Sequence, residues 1–500
     1  MLRSLWLRKL SRALFANHFS SRSQRRSLRR TRLNLEHLED RTLLSAPVTD
    51  TTGFIAAINS ANTAGGSTTI TLASGTTFDF TTANNSTKGG NALPVITSNI
   101  TIVGNGDTIE RTGPNAFRLL DVAPGGSLNL QNVTLAGGSV TGSGGGITNF
   151  GTLMVSDCTI SGNAASNQGG GIDHDGIMSV SDSTLSGNSA GSGGGVYNSN
   201  QLTISDSTLS GNSAQNGGGV YDSSAVLTVS NSTLSGNSVS TDGGGVFLTG
   251  GGNVALTSVT LYGNSADTNG GGGAFAGASE VIAHNTLVAS NKGGDIGGAF
   301  DSASSYNLIG DGSGGLSSAN HNLLGTSTNP IDPKLAPLAN NGGPTQTLAL
   351  LAGSPAIGAG DPSESGSTDQ RGFPRGSIVD IGAFQTQPIT ITVNDTTHSM
   401  DNPANVTLAR LGTQVTLIDA INAANNSLAS DSYVIVLPDN QTITFTQPLN
   451  NTTITSNNVF RHGHAFLLRL RRSDVYRWRV GIGHAGIGRS DAGRRRGPGR

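Results

Sequence analysis

Apolar residues recur along this chain with a period of about twenty-five residues. The marker is a Thr-Leu or Thr-Ile pair, and successive pairs are 24 to 27 residues apart. The second members of the pairs are Leu135, Ile160, Leu185, Leu209, Leu234, Leu261 and Leu287. The middle units read close to GGGVYN…LTISDSTLSGNS, in which apolar and polar residues alternate as in short β-strands. The pattern predicts three short strands per unit, separated by tight turns.

Such units predict coils of a solenoid, in which every strand pairs with its equivalents in the coils above and below. We therefore expect an all-β fold, a right-handed parallel β-helix whose seven coils extend about 34 Å. A leucine-rich repeat has a similar period but would require L-x-x-L-x-L patterns, which are absent. Less regular strands are expected over 70–103, preceded by an N-terminal cap helix at 53–62 with Phe54, Ile55 and Ile58 on one face.

Two ladders of side chains are expected to point inward. The larger ladder runs from Leu135 to Leu261, and the smaller one, two residues earlier, is Val133, Cys158, Ser183, Ser207, Ser232 and Val259. Cys158 is then a small buried side chain rather than a reactive thiol. Thr208, next to Leu209, is expected to face outward, where substitution costs less than about 1 kcal/mol.

Asparagine and glycine mark the predicted corners of the coil. The asparagines are Asn163, Asn188, Asn212, Asn237 and Asn264. We expect them to hydrogen-bond to one another along the axis and to adopt the left-handed conformation of a tight corner. Runs of three or four glycines, such as 193–195, are expected to form another corner.

Composition and charge narrow the class of protein. With 72 glycines in 500 residues and 12% charged residues, the chain resembles neither an ordinary globular enzyme nor a typical disordered chain. The net charge is +8 over 1–46, −19 over 47–460 and +9 over 461–500. No basic stripe runs through the acidic body, so nucleic acid is not an expected partner. The sequence contains no stretch of about eighteen apolar residues, so no transmembrane helix is predicted.

Three segments carry resemblances to exported bacterial proteins. LNLEHLEDRTLLSA, which closes the basic segment 1–46, resembles the LEPR-XLL-type N-terminal segment. The GGG(V/I)…SGNS units of the β-helix region, 47–303, resemble the repeats of polymorphic outer-membrane-protein adhesins. NPIDPKLAPLANNGGPTQTLAL, GSPAIGAGDP, DQRGFPR and VDIGAFQ, within 304–388, resemble the choice-of-anchor Q domain. These resemblances imply export to the cell surface or the extracellular space; a basic disordered tail is the alternative interpretation of 1–46.

The C-terminal part divides into three segments. In 304–388, Asp369-Gln370-Arg371 is expected to cap the last coil, with Arg371 in a structural ion pair with Asp369 or Asp380. Residues 389–460 are interpreted as a truncated second β-helix unit, because LIDAINAAN repeats FIAAINSAN 363 residues later. The Arg-rich tail 461–500 is interpreted as a frameshifted reading, with a basic binding tail as the alternative.

Catalytic chemistry is weakly supported by the sequence. Residues 119–370 contain no arginine, and their lysines are Lys292 and Lys334, which disfavours a lyase acting on a polyanion. A glycoside hydrolase needs two carboxylates, and the one dense candidate is Asp173-His174-Asp175. On a strand, both carboxylates would lie on one face and His174 on the other. We expect a solvated corner there rather than a catalytic pair.

Two further ladders are candidates for binding. Asp157, Asp182 and Asp206 occupy equivalent positions in successive coils and either point into water or share a calcium ion. Tyr197, Tyr221 and Phe247 follow the glycine runs and form either a carbohydrate-stacking stripe or an inward-packed row. No other cofactor is expected.

Taken together, these features favour a monomeric, exported cell-surface or extracellular-matrix protein. We expect adhesion or structural binding without catalysis, with extracellular polysaccharide or surface components as partners. The alternative is a carbohydrate-active β-helix enzyme, either a polysaccharide lyase or a glycoside hydrolase.

Overall fold

The structure is a computed structural model that describes residues 46–387, except 224–225, 269 and 278–279. After residue 387 it describes 389–392, 415, 420, 433–436, 459–462 and 465–470. The predicted export segment therefore lies outside the described residues except for Ala46. The same holds for most of the predicted second unit, including nearly all of LIDAINAAN, and for most of the Arg-rich tail.

Residues 46–387 form a parallel β-helix of about eight turns, with one described α-helix near the N-terminus. The helix α1 spans Thr51–Ala64, and the first strands are β1 (Ser67–Thr71), β2 (Thr77–Phe80), β3 (Asn99–Arg111), β4 (Leu120–Val122), β5 (Ser127–Ala136) and β6 (Ser139–Val140). The all-β, parallel β-helical fold class predicted from the period is confirmed.

The regular coils place equivalent strands in four columns. Column 1 contains β4, β7 (Ile147–Asn149), β11 (Ile172–His174), β14 (Val196–Asn198), β18 (Val220–Asp222), β22 (Val246–Leu248), β26 (Ala274–Ala276) and β29 (Ile296–Gly298). Column 2 contains β8 (Thr152–Ser156), β12 (Ile177–Ser181), β15 (Gln201–Ser205), β19 (Val226–Ser230), β23 (Asn253–Thr257) and β27 (Glu280–His284). Column 3 contains β9 (Thr159–Ser161), β13 (Thr184–Ser186), β16 (Thr208–Ser210), β20 (Thr233–Ser235), β24 (Thr260–Tyr262) and β28 (Leu287–Ala289), and is continued by β30 (Leu308–Ile309) and β31 (Leu323–Leu324).

Columns 1 to 3 are the three strands that the sequence predicts for each coil. A fourth column of two-residue strands follows the asparagines: β10 (Ala164–Ala165), β17 (Ser213–Ala214), β21 (Ser238–Val239) and β25 (Ser265–Ala266). The alternation of apolar and polar residues did not reveal this column, because two residues are too few to display a period of two. After residue 387, β32 (Ile389–Thr392), β33 (Tyr433–Val436), β34 (Val459–His462) and β35 (Ala465–Leu470) form a separate four-stranded sheet.

The core includes the two predicted inward ladders, together with inward residues of columns 1 and 2. Leu209 pairs in register with Leu185 and Leu234, and all six members from Leu135 to Leu261 are fully buried. The smaller ladder is buried as well, and burial raises the pKa of the Cys158 thiol to about 11. Cys158 is therefore a buried small side chain, as predicted. Beyond Leu261 the ladder continues with Val288, which lies opposite Leu261, and not with the pair-marker residue Leu287.

The hydrogen-bonded asparagine ladder is confirmed, but the left-handed backbone conformation predicted for its asparagines is wrong. Asn212 Nδ2 donates to Asn237 Oδ1 at 2.9 Å and to the carbonyl oxygen of Leu185 at 2.9 Å, and the other members repeat this arrangement. The glycine before each asparagine, such as Gly211 with φ +63°, takes the left-handed conformation instead. The glycine runs let coils approach closely: a Cβ on Gly194 would lie 2.6 Å from the carbonyl oxygens of Gly218 and Ser213.

The helix α1 covers the first coil, as predicted. Asp50 begins it, because its carboxylate accepts a hydrogen bond from the Gly53 amide at 2.7 Å. Phe54 and Ile58 are fully buried, Ile55 is half-buried, and the Phe54 ring meets the edge of Phe78 with centroids 5.3 Å apart. The unpaired edge of the first coil is thereby shielded.

The segment that follows β31 runs back along the outer side of column 3 rather than capping the last coil. Gln370 Nε2 donates to Thr208 Oγ1 at 2.9 Å, and Thr233 Oγ1 donates to Gln370 Oε1 at 2.6 Å. One coil beyond Thr233, the Ala383 amide donates to Thr260 Oγ1 at 3.0 Å. The expectation that Asp369–Arg371 cap the last coil is therefore wrong. Thr208 does face outward from its coil, but this segment buries it completely, which overturns the expectation of a surface position.

Candidate functional site

The Asp157, Asp182 and Asp206 ladder lies at the turn between columns 2 and 3. All three residues adopt the left-handed conformation, with φ of +54°, +48° and +51°, and Asn231 continues the row at +43°. Asp and Asn tolerate this conformation better than most residues, so the turn itself explains their recurrence. Asp157 is exposed and the other two are half-buried. Burial, and secondarily the carboxylate of the preceding coil, raises the pKa of Asp182 and of Asp206.

Calcium on this ladder stays a prediction. Among the described residues, no group of three or more His, Cys, Asp or Glu side chains is placed to hold a metal ion. The ladder offers one carboxylate per coil, and calcium usually takes six to eight oxygen ligands. Backbone carbonyls and water would have to supply the rest.

The predicted aromatic row faces outward from column 1 and is longer than expected. Tyr197, Tyr221, Phe247 and Phe275 follow one another in successive coils, with ring centroids 4.9, 5.1 and 5.1 Å apart; the first and last pairs are stacked and the middle pair is tilted by 44°. Each inner ring thus has a neighbouring ring on both sides. Because a sugar needs a free ring face to stack on, the row stabilises the stack of coils rather than forming a carbohydrate platform.

A cleft of about 410 Å³ opens where this row ends, next to Asp173 in the coil that precedes Tyr197. It is lined by Lys88, Gly89, Gly90, Ala116, Arg118, Val140, Thr141, Gly142, Ser143, Thr148, Phe150, Gln168, Asp173 and Asp175. Its volume falls within the usual range for small-ligand sites. The regular repeats supply one wall, and the irregular first coils supply the other.

The side chains of the predicted Asp173-His174-Asp175 group point alternately to the two sides of the sheet, as expected for an extended segment. Both carboxylates line the cleft, and His174 points into the β-helix. Asp173 is only 6% exposed, so the expected solvated corner is wrong for this residue. Burial, followed by the charge of Asp175, raises the pKa of Asp173 to about 7, against the opposing charge of Arg118. Asp175 is exposed and accepts a hydrogen bond from the Ser199 hydroxyl.

The positively charged residues of the cleft, Lys88 and Arg118, precede residue 119 and so lie just outside the arginine-free range 119–370. Arg118 is buried, and its guanidinium donates to the carbonyl oxygens of Lys88, Ser143 and Gly144 and to Asn91 Oδ1, at 3.0–3.3 Å. Lys88 is exposed at the rim, with Nζ 3.7 Å from the centroid of the Phe150 ring. Arg118 thus braces the wall of the cleft, while Lys88 has a charged end directed over an aromatic face.

A polar row that the sequence did not predict lies inside column 1. Asn149, His174, Asn198 and Asp222 are at most 1% exposed. Asn149 Nδ2 lies 2.9 Å from His174 Nδ1, and His174 Nε2 lies 2.9 Å from the Gln201 carbonyl oxygen. This geometry places the proton on Nε2, and burial lowers the pKa of His174. His174 is therefore a neutral structural residue without access to the cleft.

The predicted ion pair of Arg371 with Asp369 is confirmed. Arg371 Nη2 lies 2.6 Å from Asp369 Oδ2, both side chains are buried, and the guanidinium stacks on Phe384 at 3.6 Å. Arg375 is also buried and donates to the carbonyl oxygens of Asp380 and Gly382. Every contact of these arginines fastens the C-terminal segment to itself or to the coils, so they are structural.

An uncharged outer surface covers column 2 from β8 to β23, and we call it the hydroxyl face. Its outward residues are Thr152, Met154, Ser156, Ile177, Ser179, Ser181, Gln201, Thr203, Ser205, Val226, Thr228, Ser230, Asn253, Ala255 and Thr257. Met154, Ile177 and Val226 are 42–54% exposed. Five strands of five residues give a surface of about 19 by 16 Å.

Comparison with known proteins finds no match: no family model, no curated protein and no solved structure corresponds to this chain. Within the described part of the chain, no helix combines the length and the apolar character needed to cross a membrane.

Proposed function

We propose that this protein is an exported cell-surface or extracellular-matrix β-helix that binds extracellular polysaccharide without catalysis. The observation that supports this most is the hydroxyl face, whose outward side chains are in register from coil to coil. Export is supported by the resemblances of the N-terminal segment and of residues 304–388 to segments of exported bacterial proteins.

The chemistry of the hydroxyl face suits an extended polysaccharide. Its hydroxyl groups can exchange hydrogen bonds with sugar hydroxyls, and its exposed Met154, Ile177 and Val226 side chains can cover the apolar C–H faces of sugar rings. The absence of charged side chains from β8 to β23 favours neutral polymers. A flat surface with many weak contacts favours adhesion, because affinity accumulates along the polymer.

Retention on insoluble neutral polysaccharide tests this proposal. Thr203 is exposed at the centre of the hydroxyl face, so Thr203→Lys would place a long charged side chain across it. We expect retention to fall about tenfold, equivalent to about 1.4 kcal/mol. Gln215→Lys is the matched control, since Gln215 is exposed on a different side of the coil. Equal retention of Thr203→Lys, Gln215→Lys and the unmodified protein would contradict the proposal.

A carbohydrate-active enzyme is the second candidate, because the pKa of Asp173 lies near 7 in a cleft that also contains Asp175. A carboxylic acid with a raised pKa and a neighbouring carboxylate are the groups that glycoside hydrolysis uses. New reducing ends or unsaturated uronates, formed by the unmodified protein and not by Asp173→Ala, would favour this candidate.

A further inference from the structure

The carboxyl group of Asp173 is the least satisfied buried acid that lines the cleft. It is 94% buried by residue, yet among the described residues no hydrogen bond reaches it, and only burial and the charges of Asp175 and Arg118 act on it. Buried polar groups in native proteins are nearly always hydrogen-bonded, and an unpaired one is costly. An unpaired acid directed into an open cleft therefore needs a partner from outside the chain.

Two other buried carboxylates, those of Asp369 and Asp380, accept several hydrogen bonds each. Asp369 accepts hydrogen bonds from the amides of Arg371, Phe373 and Gln385 and from the Arg371 guanidinium. Asp380 accepts from the amides of Gly358 and Thr386 and from the Thr386 hydroxyl. Neither of these residues lines the cleft. The fold thus supplies several donors to each of these two carboxylates, and it supplies none to Asp173.

We infer that the Asp173 cleft is a discrete binding site for one pyranose unit of a polysaccharide, whose vicinal hydroxyl groups donate hydrogen bonds to the Asp173 carboxyl. The inference rests on the proposed function in taking polysaccharide as the partner, but it concerns a different surface. Thr141, Ser143 and Gln168 at the walls add neutral donors and acceptors of the kind that sugars use. Phe150 adds an apolar ring face beneath the ammonium of Lys88.

The charges around the cleft favour a neutral donor over a free anion. Four of the five N–H groups of Arg118 bind protein oxygens, so this guanidinium has little to offer an anion. The Asp173 and Asp175 carboxylates would repel an anion as well. A sugar hydroxyl needs no counter-charge, and it satisfies a carboxylate oxygen directly.

Binding of a sugar to Asp173 should be accompanied by release of protons from this carboxyl group. Asp173 is surrounded by Arg118, by Asp175 just after the same strand, by Lys88 at the rim and by Tyr197 in the next coil. With a pKa of about 7, the group is about half protonated at pH 7. Because hydroxyl donors favour the ionised form, binding at pH 7 should release up to about half a proton per site.

The test uses the full chain and soluble tetrasaccharides of β-1,4-glucose, β-1,4-xylose, β-1,4-N-acetylglucosamine and α-1,4-galacturonate. Binding is followed by titration calorimetry in two buffers of different ionisation enthalpy, which also measures proton release. We expect at least one of the three neutral tetrasaccharides to bind, with affinity at least tenfold weaker and proton release abolished in Asp173→Asn. Asp267→Asn, an exposed acid outside the cleft, should bind as the unmodified protein does.

A second variant blocks the cleft without changing the acid. A Cβ on Gly142 would meet only Val140, at 3.9 Å, so Gly142→Phe can be accommodated and should obstruct the mouth. We expect it to weaken binding at least tenfold. The inference is overturned if none of the neutral tetrasaccharides binds, or if Asp173→Asn and Gly142→Phe both bind like the unmodified protein. Loss of retention in Thr203→Lys with intact tetrasaccharide binding separates the hydroxyl face from the cleft.

Discussion

The side-chain amide of Asn188 donates a hydrogen bond to Asn212 Oδ1 in the next coil at 3.0 Å, and the Asn188 backbone amide donates to the same oxygen at 3.0 Å. Both residues are fully buried. The same contact recurs at each step from Asn163 to Asn291. One buried polar residue per coil therefore sets the stagger between neighbouring coils.

Replacing Asn212 with Ala should destabilise the protein strongly. The change leaves the Asn188 backbone amide without its partner in the core and removes one of the two acceptors of Asn188 Nδ2, at about 1–3 kcal/mol for each unsatisfied group. Urea denaturation measures the loss. Asn253→Ala, an exposed asparagine on β23, is the matched control and should change stability by less than about 0.5 kcal/mol. Similar losses in the two variants would mean that the ladder contributes little.

Replacing Leu209 with Ala should cost about 2–5 kcal/mol, the usual range for such a core truncation. A solenoid is stabilised by contacts between neighbouring coils, so protection from hydrogen exchange should fall first in the coils of Leu185 and Leu234. Thr203→Ala, on the exposed side of column 2, should leave protection unchanged. A uniform loss of protection along all coils would contradict local coupling.

Thr208→Ala is expected to cost about 1–3 kcal/mol rather than behaving as a surface change. Thr208 Oγ1 donates to the Gln346 carbonyl oxygen at 2.6 Å and accepts from Gln370 Nε2, so its loss removes two hydrogen bonds that hold the C-terminal segment to column 3. Hydrogen exchange should show increased opening of residues 345–371. An effect under about 0.5 kcal/mol would place this segment away from column 3 in solution.

Asp173 should make stability depend on pH. Its pKa is about 7 when folded and about 3.9 when unfolded, so the folded state binds more protons between these values. Stability should therefore fall as pH rises from about 4 to 7, and Asp173→Asn should remove this component. The lowered pKa of His174 acts oppositely below about pH 6.5, but it is common to both proteins and cancels in their difference. Identical pH profiles would contradict the assigned burial.

Calcium on the Asp157, Asp182 and Asp206 ladder predicts a melting temperature that rises with calcium concentration by mass action. Asp182→Asn removes the central carboxylate and should abolish most of the rise. Asp267→Asn is the control, because Asp267 is exposed elsewhere and pairs with Lys292. A melting temperature that is independent of calcium would contradict this prediction and would mean that the three aspartates serve only the turn.

The repeat was predictable because each coil carries the same period-two pattern, so the inward ladder from Leu135 to Leu261 could be assigned from spacing alone. The position of the C-terminal segment along the outer side of column 3 was not predictable, because Gln370 and Thr208 are 162 residues apart in the sequence. The cleft was missed for a related reason. Arg118 and Lys88 belong to irregular coils, whose register follows from packing and not from any repeat.

Binding without turnover distinguishes an adhesive β-helix from an enzyme, and one experiment measures both binding and turnover. The full chain is incubated with neutral and acidic polysaccharides, and retention on the polymer is measured beside the release of reducing ends and unsaturated uronates. We expect retention that falls about tenfold in Thr203→Lys, with no product above background. Sustained product formation that disappears in Asp173→Ala would contradict it and assign the cleft to catalysis.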